Sequence, residues 1–392
     1  MNFYIADEQE ILSGKTTDIY FNNTLEILRK ENVHKNVVME ITTQDHEYPW
    51  IVFSGLEEVI HLLEGKNVTV KSLREGTIFT PFDQNGIPVP VMSVEGDYQE
   101  FAIYETPILG LICEASGIST KSARFKKLIG EKKLLSFGVR RMHPALAPMI
   151  DRYSYIGGCD SVSSVIGAEK LGIKPKGTMP HALILVMGEE NAWKKFDEDL
   201  DASVPRIALV DTFGDEKFAS IKAAELIKNL SGVRLDTPSS RRGSFPHIIR
   251  EVKWELELRG FKNIDIIVSG GIKEENVKEL VEAGADGFGV GTTISSASTI
   301  DYAMDIVEVD GKPLAKKGKF SGKKNVYVCK KCGNYAVTPI NGITPTCKKC
   351  GEKMEEAIET VLEKGKVVKK LPNADEIRSY VLQQLKNFDL VF

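Results

Sequence analysis

Long apolar runs are missing from this 392-residue chain. None approaches the roughly 20 residues that a membrane-spanning helix requires, so no membrane partner is expected. An excess of one charge sign is missing too. Lys and Arg number 51 against 55 Asp and Glu, a formal net charge of −4, which leaves no global basic field for nucleic acid or lipid. The first residues, Met1 to Glu8, lack the basic region and long apolar core of a signal peptide, so a cytoplasmic location is expected. Cysteine is sparse. Four of the six form two Cys-x-x-Cys pairs, while Cys113 and Cys159 stand alone, a pattern that in a reducing compartment points to metal rather than disulfides. A P-loop is absent as well. Ser13-Gly14-Lys15-Thr16 ends like one, but Gln9 stands where the first glycine belongs and no apolar strand precedes it.

What is present is globular. Hydrophobic residues make up 42% and charged residues 27%, near the averages of folded domains, and the length calls for two or three of them. Residues 1–120 show no strand–helix rhythm. Apolar runs such as Trp50–Phe53 are broken by turn signals at Asp83-Gln84-Asn85-Gly86, Pro88 and Pro90, which predicts a mixed α+β domain; from Phe101 the pattern turns helical.

Residues 121–310 change character. Leu134–Gly138, Ser154–Gly158 and Leu183–Val186 are short apolar runs with polar ends. Four clear strands follow at Ile207–Asp211, Gly232–Asp236, Asn263–Val268 and Ala285–Val290. Helical stripes separate them: Ile221, Ala224, Ile227 and Leu230, then Ile248, Val252 and Leu256, then Val277, Leu280 and Val281. Strands and helices alternating every 25–30 residues or so imply right-handed crossovers and a parallel sheet. Polar or Gly-rich strand ends favour a parallel α/β barrel over a doubly wound sheet. Between Gly311 and Cys350 there are ten lysines and no Asp or Glu; residues 311–364 are predicted to form a zinc ribbon. The tail, 365–392, is expected to form a helix with Ile377, Val381 and Leu385 on one face, and its end, Leu390-Val391-Phe392, to pack back on the N-terminal domain.

The chemistry-bearing motifs cluster at the barrel's strand ends. Ser269-Gly270-Gly271 closes one strand before a helix starting at Glu274, and Gly289-Val290-Gly291-Thr292 closes the next. Glycines let backbone N–H groups approach an anion, and late barrel loops are common phosphate cradles; two tight turns that merely need glycine are the plainer alternative. Asp211, Asp236 and Asp160 follow strands, where carboxylates can face sugar hydroxyls or steady a cationic sugar, although Asp211 and Asp160 would equally serve as helix N-caps. Asp236 pairs with Arg234 two residues earlier. Arg140, Arg141 and His143, and farther on Arg241 and Arg242, suit carboxylate or pyrophosphate oxygens, or are solvated surface. His181, set just before an apolar run read as a strand, is a lone histidine with a structural alternative. Cys329-Lys330-Lys331-Cys332-Gly333 recurs as Cys347-Lys348-Lys349-Cys350-Gly351, with fourteen residues between the two cysteine pairs. Four thiolates at that spacing make a closed, structural zinc site, with a redox dithiol the weaker option.

With these residues placed, the sequence resembles the nicotinate phosphoribosyltransferases across nearly its whole length, in their archaeal zinc-containing form. The resemblance implies an incomplete parallel barrel of the type II phosphoribosyltransferase kind, with an N-terminal α+β domain. It implies transfer of phosphoribosyl from phosphoribosyl pyrophosphate to nicotinate in NAD biosynthesis, with Mg²⁺ on the donor and ATP as co-substrate of a ligase-like coupling. It further implies that Tyr20, in Thr17-Asp18-Ile19-Tyr20, stacks on the pyridine of a neighbouring subunit, in a homo-oligomer built from dimers. Phe137 would cover the other ring face, Arg140 meet phosphate and Arg141 the nicotinate carboxylate. Asp160 would approach the ring nitrogen or ribose, Arg234 and Asp236 line the ribose, and His181 accept a phosphoryl group from ATP. Ser269, Gly270, Gly271, Gly289, Gly291 and Thr292 would hold the 5′-phosphate, and Cys329, Cys332, Cys347 and Cys350 the zinc, a feature most of the family lacks. Quinolinate phosphoribosyltransferase is the neighbouring alternative, and a nucleic-acid-binding zinc-ribbon protein the alternative of another class.

Overall fold

The computed structural model describes residues 3–43, 46–237 and 243–390. Arg241, Arg242, Val391 and Phe392 lie outside them. The chain divides into two compact units, residues 1–123 with 298–392, and residues 124–297.

The first unit is built on a seven-stranded antiparallel sheet ordered Lys312–Pro313, Tyr302–Val309, Asn36–Thr43, Met92–Asp97, Val68–Leu73, Ile358–Glu363 and Lys366–Val367. Residues 302–309, read from sequence as the end of the barrel, therefore pair with Asn36–Thr43 instead. Their apolar alternation suits a half-covered antiparallel strand. The helical stretch Tyr98–Ile129, which contains the helix Glu105–Ile129, is long and apolar enough to cross a membrane, which the run-length reading did not register. Ile108, Ile112, Ala115 and Ile118 are fully buried, so it is the core helix of a globular fold.

The basic stretch acts as a strap over acids of this sheet. Lys316 and Lys319 both hold Asp305, Lys323 bridges Glu95 and Glu308, and Lys324 reaches Glu40 at 2.7 Å. The 311–364 segment is thus tied into the first unit, and Ile358–Glu363 pairs with Val68–Leu73. In the tail, Ile377, Val381 and Leu385 are buried on the Ala374–Gln384 helix and the 3₁₀ turn after it.

Glu105 makes this unit pH-sensitive. Burial first, then Asp305 and Asp18, push its carboxyl from an ordinary 4.5 up to about 7, against the opposing pull of Lys316. A carboxyl raised in the folded state favours folding at low pH, and that advantage is lost as pH rises through the folded value. The thermal midpoint of the wild type should fall between pH 5 and 7.5 by an increment that Glu105→Gln lacks; parallel pH profiles for the two proteins in scanning calorimetry would refute this.

The second unit holds six parallel strands ordered Ser161–Val162, Lys133–Ser136, Gly287–Val290, Asp265–Ser269, Gly232–Leu235 and Ile207–Leu209. Leu134, Val233, Leu235, Ile267, Val268 and Phe288 are buried, as expected for strands covered on both faces. The predicted strand at Leu183–Val186 is instead the helix His181–Met187, in which only Ile184 is buried. A four-residue apolar run does not distinguish the two forms. With helices where a strand was expected, Ser161–Val162 and Ile207–Leu209 remain sheet edges, and the barrel is incomplete. Ser154–Gly158 is likewise not a strand: it ends the Ala147–Ile156 helix, whose buried Ile150, Tyr153 and Ile156 are spaced for one face.

Helix phases also shift slightly. Ala219, Ala223 and Ala224 are buried where Ile221 is only half-buried, and Ile249 replaces Ile248 at the head of the stripe with Val252 and Leu256. Val277 and Leu280 are buried as read.

Candidate active site

Parallel strands deliver their C-terminal ends to one face, where barrels carry chemistry. Two of those ends are the glycine turns. Gly270 and Gly271 have φ of +83° and +67°, a left-handed backbone that only glycine takes without strain. A Cβ on Gly270 would lie 2.9 Å from Asp236 Oδ1. The two turns are linked, because Thr293 donates to Ile272 O at 2.8 Å, and Asn276 donates to Gly271 O at 2.9 Å from the start of the Glu274–Ala283 helix. Glu274 at that helix's first position would repel an anion by itself. Arg124 grips it in a buried two-toothed pair at 2.7–3.1 Å, which offsets that charge, so the helix dipole still favours one.

Gly289 has a different task. A Cβ there would meet the Phe137 ring at 2.5 Å, so its missing side chain lets that ring lie across the strand. Phe137 itself is fixed by its N–H to Val290 O at 2.8 Å. Gly291 precedes the short helical turn Thr292–Ser295, whose Thr292 is exposed.

Beside the turns stands a polar cluster. Asp236 accepts from Ser269 Oγ at 2.8 Å, and Arg234 donates to Thr178 Oγ1 at 2.6 Å. His181 Nε2 lies 3.7 Å from Asp236 Oδ2 and 3.8 Å from Asp211 Oδ1, while its Nδ1 meets Thr212 Oγ1 at 3.1 Å. The His181 side chain is 39% exposed, whereas that of Asp211 is only 1% exposed. Both Asp211 oxygens are buried without a hydrogen-bond partner. Burial, and then the nearby Asp236, push the Asp211 carboxyl above its ordinary range against the pull of His181 and Arg234. An orphaned buried carboxylate is costly, and it suits a cationic ligand or a developing positive charge. Burial draws the Arg234 guanidinium down, which Asp236 and Asp211 oppose, and Arg140 is near enough to act on it in the same direction as burial.

Asp211 is what residue-by-residue reading undervalued. Its N-cap alternative fails because Asp215 caps the Glu216–Leu226 helix through Lys217 and Phe218 N–H groups. Asp160 errs in the opposite sense. It precedes its strand, and its carboxylate is held by Lys126 at 3.0 Å and by Leu134 N–H at 2.9 Å, at the sheet end away from the glycine turns. It is not an N-cap either, since Ser164 caps the Val165–Leu171 helix. His181, read as preceding a strand, opens a helix. Arg141 is exposed on the Val139–Arg141 turn. Tyr20 belongs to the other unit, 55% exposed on the Ile19–Lys30 helix.

Residues 118–305 match the family described as Quinolinate phosphoribosyl transferase, C-terminal domain, and residues 18–116 its N-terminal domain. The crystal structure of nicotinate-nucleotide pyrophosphorylase from Pyrococcus furiosus is 52% identical, covers 100% of both chains, and superposes with a TM-score of 0.95. The chain belongs to the type II phosphoribosyltransferase family. Nicotinate phosphoribosyltransferase of Bacillus subtilis (strain 168) is 28% identical over 366 residues, 79% of this chain and 72% of the relative. Human nicotinic acid phosphoribosyltransferase shares the phosphoribosyltransferase fold at 20% identity, with a TM-score of 0.75 over 95% of this chain.

In this phosphoribosyltransferase four sulfurs form a separate cluster in the first unit. Cys329, Cys332, Cys347 and Cys350 place their Sγ atoms within 4.8 Å of one another, three of the pairs at 3.4–3.8 Å. Tetrahedral thiolates around zinc, with bonds of about 2.3 Å, stand about 3.8 Å apart. The two knuckles have matching turns: Gly333 N donates to Cys329 O and Gly351 N to Cys347 O, both at 2.8 Å, with φ of +70° and +76° at the glycines. The donor set and spacing fit zinc.

Proposed function

We propose that this phosphoribosyltransferase transfers phosphoribosyl from phosphoribosyl pyrophosphate to nicotinate, releasing pyrophosphate and forming nicotinate mononucleotide for NAD biosynthesis. The observation that carries the reading is the juxtaposition of an anion-ready pair of glycine turns with the orphaned carboxylate of Asp211 and its neighbour Asp236, flanked by Arg234. The turns would take the 5′-phosphate. As pyrophosphate leaves, the ribose becomes oxocarbenium-like, and Asp236 and Asp211 face that charge while Arg234 and Arg140 meet the departing oxygens. Phe137, laid over Gly289, would hold the flat ring for attack by its nitrogen.

Mg²⁺ fits the same acids, since the partnerless oxygens of Asp211 and an oxygen of Asp236 are hard donors. Bound with the donor, it would neutralise pyrophosphate charge. Zinc would serve structure alone, because four thiolates leave no open position. The thiols suit a reducing compartment, the cytoplasm. The exposed Ile19, Tyr20 and Ile27 are offered to a second copy, in which Tyr20 would stack on the substrate. ATP coupling is the finer part of the proposal: His181 would accept a phosphoryl group, its ring steered by Thr212.

Purified protein incubated with phosphoribosyl pyrophosphate and each of nicotinate, nicotinamide and quinolinate should consume nicotinate. Turnover on quinolinate alone would overturn the assignment. Full ATP stimulation retained in His181→Ala would remove the phosphohistidine. Gly270→Ala should raise the KM for phosphoribosyl pyrophosphate on the order of tenfold and cost about 1–2 kcal/mol of stability, through left-handed strain and collision with Asp236; an unchanged KM would show that the turn does not hold the donor.

A further inference from the structure

One carboxylate next to the site has no part in the chemistry above. Asp151, on the Ala147–Ile156 helix, is fully buried. Ser164 donates to its Oδ2 through both Oγ and, at 3.1 Å, the backbone N–H. Ser136 Oγ approaches Oδ1 at 3.5 Å and also lies 3.4 Å from Ser154 Oγ. Among the described residues no ion pair includes Asp151, and burial pushes its carboxyl up while the serine hydrogen bonds pull it back. A buried acid with only neutral donors is an expensive way to fill space.

Its partners occupy telling positions. Ser136 ends the Lys133–Ser136 strand and is followed at once by Phe137. Ser164 follows the adjacent Ser161–Val162 strand, with Ser136 paired to Val162 across the sheet. Ser164 Oγ also caps the next helix by accepting from Gly167 N at 3.0 Å. The helix sits so close that a Cβ on Gly167 would lie 2.5 Å from both Asp151 Oδ2 and Ser164 Oγ. One carboxylate thus ties together two neighbouring strand ends, one of which carries the aromatic ring of the site.

We propose that Asp151 is a positioning residue for the phosphoribosyl acceptor: it holds the Phe137 strand end and the Ser161–Ser164 strand end at fixed spacing, and so sets the pose of a flat aromatic acid beneath the Phe137 ring. The identity of that acceptor rests on the function proposed above. The glycine turns at Gly270 and Gly291, which would take the 5′-phosphate, follow other strands, so the larger effect falls on the acceptor.

The test uses the zinc-loaded full chain and three variants, Asp151→Ala, Asp151→Asn and Ser164→Ala. Asp151→Ala should raise the KM for nicotinate about tenfold while the KM for phosphoribosyl pyrophosphate stays within about twofold. Asp151→Asn should recover most of that loss, because its oxygen still accepts from Ser164 and its NH₂ can donate to the Ser136 hydroxyl. Amide hydrogen exchange should quicken together in residues 136–141 and 161–167 of Asp151→Ala. If that variant does not fold, Ser164→Ala should show the same pattern in smaller measure. A lower thermal midpoint with both KM values unchanged, or quicker exchange in one loop only, would overturn the proposal. Should the wild type not turn over nicotinate, the functional reading fails, and the exchange pattern still decides the role of Asp151.

Discussion

Asp211→Asn should lower kcat by about 10²–10³, the scale of losing one preorganised electrostatic partner of a transition state, and yet make the ligand-free protein more stable at neutral pH. Both effects have one cause. The Asp211 carboxylate is buried, both its oxygens lack a hydrogen-bond partner, and burial holds its pKa above the ordinary range. For an acid raised in the folded state, the folded protein is favoured at low pH, and that stability is lost as pH rises through the folded value. The wild type at pH 7.5 carries this penalty, whereas an amide of the same shape carries no charge to desolvate. The thermal midpoint of the variant should therefore exceed that of the wild type at pH 7.5, and the gap should narrow towards pH 5. Calorimetry at the two pH values, paired with steady-state turnover, reads both consequences. A variant that is less stable at pH 7.5, or that turns over normally, would show that Asp211 is a structural acid whose partners are supplied some other way.

Removing the metal should produce the largest loss of stability. Structural Cys₄ zinc contributes apparent binding energies of about 10–16 kcal/mol in small zinc-dependent peptides, and here the knuckles are joined to the rest of their unit. Gln84 accepts from Lys348 N at 2.8 Å and from Asn334 Nδ2 at 3.1 Å, Asp83 Oδ2 accepts from Val337 N at 2.8 Å, and the Tyr335 hydroxyl donates to Ile78 O at 3.0 Å. Loss of the knuckles should therefore destabilise the seven-stranded sheet with them. Elemental analysis should find about one zinc per chain. Cys347→Ser, or a strong chelator, should lower the thermal midpoint sharply, while turnover by the fraction still folded stays near normal. Loss of turnover with an unmoved midpoint would instead make the metal catalytic, and an absence of zinc would remove the site altogether.

Much of the architecture could be read from the chain because its signals are local. Alternating strands and helices with glycine at the strand ends point to a parallel sheet with one active face, and the repeated Cys-x-x-Cys-Gly specifies a closed tetrahedral cluster whose four sulfurs do converge. Arg234, Asp236 and Ser269 were legible because they sit at or next to strand ends, and the sheet brings such ends together wherever the strands pair in parallel.

The misreadings share a different origin. Leu183–Val186 and Ser154–Gly158 are apolar runs too short to declare their period, and the first lies inside a helix while the second ends one. Asp160 and Asp211 each lie beside a strand, but one precedes its strand and the other follows, so they fall at opposite ends of the sheet. One is held by Lys126 and Leu134; the other faces His181. Residue type and sequence spacing determined that this protein would have carboxylates, arginines, glycine turns and a thiolate cluster. Which carboxylate stands orphaned in the site, that Ser136 and Ser164 meet on Asp151, and that Lys316, Lys319, Lys323 and Lys324 bind the sheet's own acids were decided by the tertiary structure alone. Burial and hydrogen-bond partnership arise between segments tens to hundreds of residues apart, and no local pattern records them.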